Sequence, residues 1–156
     1  MERKYPPFET RERIRKWCDQ QERAHSDVSR KLYSWGVYGD EIDQIIVELI
    51  SDNFLNEERF ARAFARGKFR IKKWGWKKIQ NELRRKGVSK YSIALAHEEI
   101  EEGDYLETLK ELLEKKRPFI KSKSQWEENQ KLIRFAVNKG YSFDDVKKVM
   151  GDMGDD

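Results

Sequence analysis

Few residues in this chain could carry catalysis or metal chemistry, and their spacing argues against both. Cys18 is the single cysteine, and His25 and His97 are the two histidines. One Cys and two His leave no metal cluster. Neither histidine stands at a spacing from a serine, cysteine or carboxylate that suggests a nucleophile–base pair. His97 reads as a packed helix residue, and Cys18, next to Trp17 on an amphipathic segment, as a small core residue. Glu98, Glu99, Glu101 and Glu102 read as solvated helix ends, not a catalytic pair. No Walker loop, Gly-x-Gly-x-x-Gly or metal signature occurs. The expectation is a protein that is not an enzyme and has no cofactor and no metal.

The chemistry these residues do favour is the binding of anions. The net charge is only +4, but charge is laid out in blocks. Residues 40–58 and 91–114 each sum to −7, while 59–90 hold thirteen cations against Glu82 alone and 115–143 sum to +6. A concentrated field of this kind attracts phosphates over a Debye length of about 8–10 Å. On a helical wheel at about 100° per residue, Arg59, Arg62, Arg66, Arg70 and Lys73 fall within an arc of roughly 80°. Phe60, Phe64 and Ile71 fall on the apolar side with Ala61 and Ala65 beyond them. The next segment repeats the arrangement, with Trp76, Ile79 and Leu83 on one side and Lys77, Lys78, Arg84 and Arg85 on the other. Soluble helices usually intersperse both signs, and like charges at i,i+3 and i,i+4 repel. The basic face therefore predicts an anionic partner, and the candidate contact residues are Arg59, Arg62, Arg66, Lys68, Arg70, Lys72, Lys73, Trp74, Lys77, Lys78, Arg84 and Arg85. Trp76 reads as core; Trp74 is open between core and stacking on a partner.

The elements that position this face come from an internal repeat. Gly36, Gly87 and Gly140 lie 51 and 53 residues apart. Aligned on them, the positions eight before are Val28, Ile79 and Leu132, and four before are Leu32, Leu83 and Ala136. Six after come Ile42, Ile93 and Val146, and nine after come Ile45, Ala96 and Val149. Each glycine thus ends one amphipathic helix in the left-handed conformation and precedes another. Ser26, Asn56, Ser89, Ser124 and Ser142 stand as N-caps, and Ser124 to Glu127 reads as a capping box. The spacing predicts nine helices, near 8–24, 26–35, 40–51, 56–73, 75–86, 89–101, 104–117, 124–139 and 142–150, with strand signals nearly absent.

The fold expected is therefore all-α, an elongated array of three tandem three-helix repeats covering 1–55, 56–102 and 103–156. Composition agrees: 40% of residues are charged and 37% apolar, too few for one large core, yet 12% are aromatic, too many for a disordered chain. No run approaches 18 apolar residues, and the first residues lack the apolar stretch of a signal peptide. A reducing, cytoplasmic monomer without a membrane association is expected.

The stretch Leu55-Asn56-Glu57-Glu58-Arg59-Phe60-Ala61, then Gly75 to Ile79 and Glu82-Leu83-Arg84-Arg85-Lys86-Gly87-Val88, resembles the central signature of the RecX family of bacterial recombinase regulators. Ser26 to Leu32 is similar to the family's first-repeat element. Glu57 stands where the family usually has Asp, and Val28 where Leu is common. The resemblance covers about residues 15–100 by motif and the last third by the repeat alone. It implies a regulator of homologous recombination that binds the RecA nucleoprotein filament in its groove and restrains recombinase, ATPase and SOS co-protease activity. Single- or double-stranded DNA would be a weaker, salt-dependent partner. The competing class is an independent helical DNA-binding module, against which stands the dominance of Lys over the Asn, Gln and Arg mixture that base readout uses.

Overall fold

A computed structural model describes residues 2–154, and among them it contains nine α-helices, one 3-10 turn and no strand. The helices are α1 (Pro7–Gln20), α2 (His25–Ser34), α3 (Asp40–Ser51), α4 (Glu57–Arg70), α5 (Trp76–Arg85), α6 (Lys90–His97), α7 (Glu102–Lys116), α8 (Gln125–Asn138) and α9 (Phe143–Gly154), with the 3-10 turn at Arg117–Phe119. The architecture is a tandem array of helical repeats.

The repeat read from the glycines is physical. Gly36, Gly87 and Gly140 all have positive φ, at 81°, 82° and 108°. In each, the residue after the glycine donates its N–H to the carbonyl five residues back: Val37 to Leu32, Val88 to Leu83 and Tyr141 to Ala136, all at 3.1 Å. The glycine N–H bonds the carbonyl three back in all three. This pair of bonds satisfies carbonyls that a helix end would otherwise leave open. The positions eight and four before each glycine are fully buried in every repeat.

Helix ends differ from expectation where side chains intervene. α1 stops at Gln20 because Gln21 is extended and Arg23 folds back, its Nε donating to the Trp17 carbonyl at 3.1 Å. Ser26 is not an N-cap. The cap lies two residues earlier, at Ala24, where Asp27 reaches back to accept the Ala24 N–H at 3.0 Å, and the Ser26 hydroxyl instead donates to the Lys86 carbonyl. Asn56, Ser89, Ser124 and Ser142 do cap, each accepting an N–H three residues on. Glu127 completes its end of the box on the Lys123 N–H, one residue before the cap.

The chain divides into two compact units, with crossings inside α4, α5 and α6. The first takes the described residues up to Ala63 together with Leu83–Ala96. Its core gathers Ile14, Cys18, Val28, Leu32, Trp35, Val37, Ile45, Leu49 and Leu55. Burial pushes the Cys18 thiol up to about 11, so it packs here as a small protonated group. The N-terminal residues are tied to this core through the Lys4 N–H on the Trp35 carbonyl and an Arg3–Glu41 ion pair. The second unit takes Phe64–Glu82 with the described residues from His97 onward. Its core gathers Leu109, Leu113, Leu132, Ala136, Tyr141, Val146 and Val149.

Candidate functional site

Four of the expected cations stand without an ion pair to a described residue where α4 ends and the chain turns into α5, in the second unit. α4 stops at Arg70, so Ile71 leaves the apolar face the wheel assigned to it and is 78% exposed; Phe69 takes the buried place instead. Lys73 then adopts φ +60°, with its N–H on the Phe69 carbonyl at 3.0 Å. Trp74 is half-buried, and both Lys68 and Lys78 set their ammonium groups against its ring, at 4.8 and 4.5 Å from the centroid. The indole is thus a platform that fixes two lysines, a geometry in which the ring quadrupole attracts the cation. Trp76 is likewise only half-buried, its ring 4.5 Å from that of His97.

The turn is held from outside its own repeat. The Gly75 N–H donates to the Lys139 carbonyl at 2.8 Å and the Lys77 N–H to the Gly140 carbonyl at 3.0 Å. Tyr141 Oη donates to the Lys73 carbonyl at 2.9 Å, and Lys139 Nζ to that of Lys72 at 3.4 Å. Two glycines make this possible: a Cβ on Gly75 would lie 2.2 Å from the Gly140 carbonyl carbon. Behind the contact, Phe69, Tyr105 and Tyr141 form a run of rings 5.8 and 5.0 Å apart, and Tyr105 Oη accepts the Trp76 N–H. Burial pushes the Tyr105 hydroxyl up to about 12 and Tyr141 higher still, so both remain neutral hydrogen-bonding groups.

The twelve expected residues separate into groups. Arg70, Lys72, Lys73 and Lys77 are exposed on the turn and form no ion pair with a described residue. Lys68 and Lys78 flank them against Trp74. Arg66, on the same side, is bound to Glu99. Arg59, Arg62, Arg84 and Arg85 belong to the first unit. There Arg59 is held by Glu22 and the Asn53 carbonyl, and Arg62 by Glu58 at 3.0 Å; Arg84 and Arg85 are exposed. The single outward row of five cations is therefore interrupted: Arg59, Arg62 and Arg66 each meet a carboxylate. The Gly75–Gly140 contact, Lys139 and Tyr141 were not among the candidates. Only the glycine repeat pointed at that corner.

Glu57 acquires a role through its length. Its Oε1 accepts both the hydroxyl and the N–H of Ser89, at 2.6 and 3.0 Å, at the start of α6. Burial works to raise its pKa, but those two bonds, with Ser92 and His25, hold it below the usual 4.5. A depressed carboxylate contributes stability above its unfolded pKa and loses it as pH falls through the folded value. Glu57→Gln should therefore cost most stability near pH 7, and the cost should shrink as pH falls below the ordinary 4.5 through the lowered folded value. Urea unfolding across that pH range checks this; a loss that stays constant as pH falls would show the carboxylate charge to be irrelevant.

No helix among the described residues is long and apolar enough to cross a membrane, and no group of three or more His, Cys, Asp or Glu among them could hold a metal ion. Comparison with known proteins matches residues 56–96 to the family model "RecX, second three-helix domain" and 102–150 to "RecX, third three-helix domain". A regulatory protein RecX of Vibrio parahaemolyticus is 30% identical over 144 residues, covering 92% of this chain and 91% of the relative. One of Clostridium perfringens strain 13 is 33% identical over 124 residues, or 78% of this chain; the match spans only 58% of that relative's length. The crystal structure of RecX from Lactobacillus salivarius superposes with a TM-score of 0.83 over 94% of this chain and 95% of that one, at 22% identity, which carries the fold. Two domain models in tandem, a relative matched nearly end to end and the same helical array lead to one statement: the chain belongs to the RecX family of regulatory proteins.

Proposed function

We propose that this protein regulates homologous recombination by docking on the RecA nucleoprotein filament, and that the turn between α4 and α5 supplies the docking cations. It acts as a cytoplasmic, monomeric, non-catalytic modulator that lowers strand exchange, ATP hydrolysis and co-protease activity. The repeats 1–55, 56–102 and 103–156 are its structural modules, and bare DNA is a weaker partner. The observation that carries this reading is the set of exposed cations Arg70, Lys72, Lys73 and Lys77 on a backbone held by residues 139–141. Charges on a held backbone lose less freedom on binding than charges on a free loop.

The test is RecA-dependent strand exchange and ATP hydrolysis on single-stranded DNA. The protein at near-stoichiometric amounts is expected to slow both, and Arg70→Ala with Lys72→Ala and Lys77→Ala to relieve the inhibition. Binding to duplex DNA alone should lose about two to three units of salt slope in that variant, near 0.9 for each phosphate contact. Unchanged recombinase rates with the protein in excess would sink the regulator reading. Firm binding to DNA without any effect on recombinase would favour the independent DNA-binding module.

A further inference from the structure

A second surface in the same unit has no place in the docking reading. Residues 115–123 hold Lys115, Lys116, Arg117, Lys121 and Lys123 and no carboxylate. Phe119 is 79% exposed, and Trp126, at the start of α8, is 71% exposed. Trp126 lines a cleft of about 670 Å³ between α8 and α9 together with Phe143, which is itself 52% exposed. Lys147 lies 5.4 Å from the Phe143 ring centroid, and Gln125, Asn129 and Gln130 face the cleft. None of its lining residues is an Asp or Glu. Glu127 and Glu128, the carboxylates at the start of α8, are engaged by Lys131 and by Arg117.

Apolar rings left in water mark an interaction site when they are grouped. Charge and chemistry narrow the occupant. Cations without carboxylates select a polyanion. Flat rings beside amides suit a flat, hydrogen-bonding group, and the volume is that of a small-ligand site. A nucleobase on a phosphate chain meets all of these demands, and single strands offer bases unstacked, as a duplex does not. We infer that the α8–α9 cleft receives an unpaired base of single-stranded nucleic acid against Trp126 and Phe143, with Lys121 and Lys123 on the adjoining phosphates. The interaction needs no recombinase and is separate from the α4–α5 turn.

The experiment is fluorescence anisotropy of a labelled oligothymidylate of about 15 nucleotides, with the full chain and no recombinase. It is run in the Arg70→Ala, Lys72→Ala, Lys77→Ala background to silence the turn. Trp126→Ala should weaken binding about tenfold, the order that loss of one base–aromatic stack carries, and Trp126→Phe should restore most of it. Lys121→Ala with Lys123→Ala should lower the salt slope by about 1.4. A sugar–phosphate strand lacking bases should bind weakly and be indifferent to Trp126→Ala. Thymidine monophosphate should bind far more weakly than the strand. The inference is overturned if Trp126→Ala binds as parent, if the base-free strand binds equally, if the monophosphate matches the strand, or if duplex is preferred. Absence of any binding overturns it too and would assign the rings to a protein partner. Trp126 is exposed, so its removal leaves the core intact, and an unchanged helical signal verifies that. Since recombinase is absent, failure here leaves the docking proposal standing, and failure there leaves this one.

Discussion

Gly75→Ala is expected to destabilise the protein by about 3 kcal/mol, the upper part of the range for forcing volume into a packed site. The added Cβ would run into the Gly140–Tyr141 peptide group, at 2.2 Å from the carbonyl carbon of Gly140, 2.3 Å from the Tyr141 nitrogen and 2.4 Å from the Gly140 oxygen. Backbone cannot rotate aside as a side chain can, so the two strands of chain must separate. Separation would stretch the bonds from the Gly75 and Lys77 N–H groups to the Lys139 and Gly140 carbonyls, and the buried glycine groups among them would lose their partners. Gly87→Ala is the control. It shares a positive φ with Gly140 but has nothing within 4 Å of its virtual Cβ, so only the conformational cost of about 1 kcal/mol remains. Chemical denaturation of the two variants compares them directly. Equal losses would mean that the glycine contact is not close in solution.

Leu32→Ala and Leu83→Ala form the second large effect, at about 2–5 kcal/mol each. The two leucines occupy the same place in successive repeats, four residues before the glycine, and neither has any exposed surface. Both sit on helices fixed at their ends by the double carbonyl bonds of the glycine motif, which limits how far the surroundings can collapse into the void. Val47→Ala, on a residue 64% exposed, should stay within about 0.5 kcal/mol. Urea midpoints at constant slope measure all three. A Leu32→Ala loss as small as that of Val47→Ala would remove the basis for treating the repeat as a packing unit.

Much of the framework was readable because it is periodic. Three glycines at near-equal spacing carry their flanking apolar positions with them, and a helix that must bury one stripe announces it in its spacing. The buried set at those positions follows the alignment closely. The misreading of the basic row has one cause, which is that local pattern says nothing of a partner far along the chain. Arg59 finds Glu22 and Arg66 finds Glu99 across 37 and 33 residues, so a row that looks outward on a wheel is partly neutralised in space. Ser26 is a good capping residue by type, but Asp27 was better placed to bond the Ala24 N–H. The wheel carried α4 through Ile71 and Lys73 because no glycine or proline marks its end.

Lys73 carries that last point further. Its backbone has the conformation that Gly36, Gly87 and Gly140 adopt without strain, and a side chain there costs on the order of 1 kcal/mol. A glycine would suit the turn better and would remove a cation from its apex. Foldability and charge thus pull in opposite directions at one position. The hydrogen bond from Tyr141 to the Lys73 carbonyl, supplied by the third repeat, helps the second to keep the less comfortable residue. A variant library scored for thermal resistance alone would drift toward glycine here and shed a charge from the proposed docking turn, so under that proposal selection on stability and selection on partner binding would part company at this residue first.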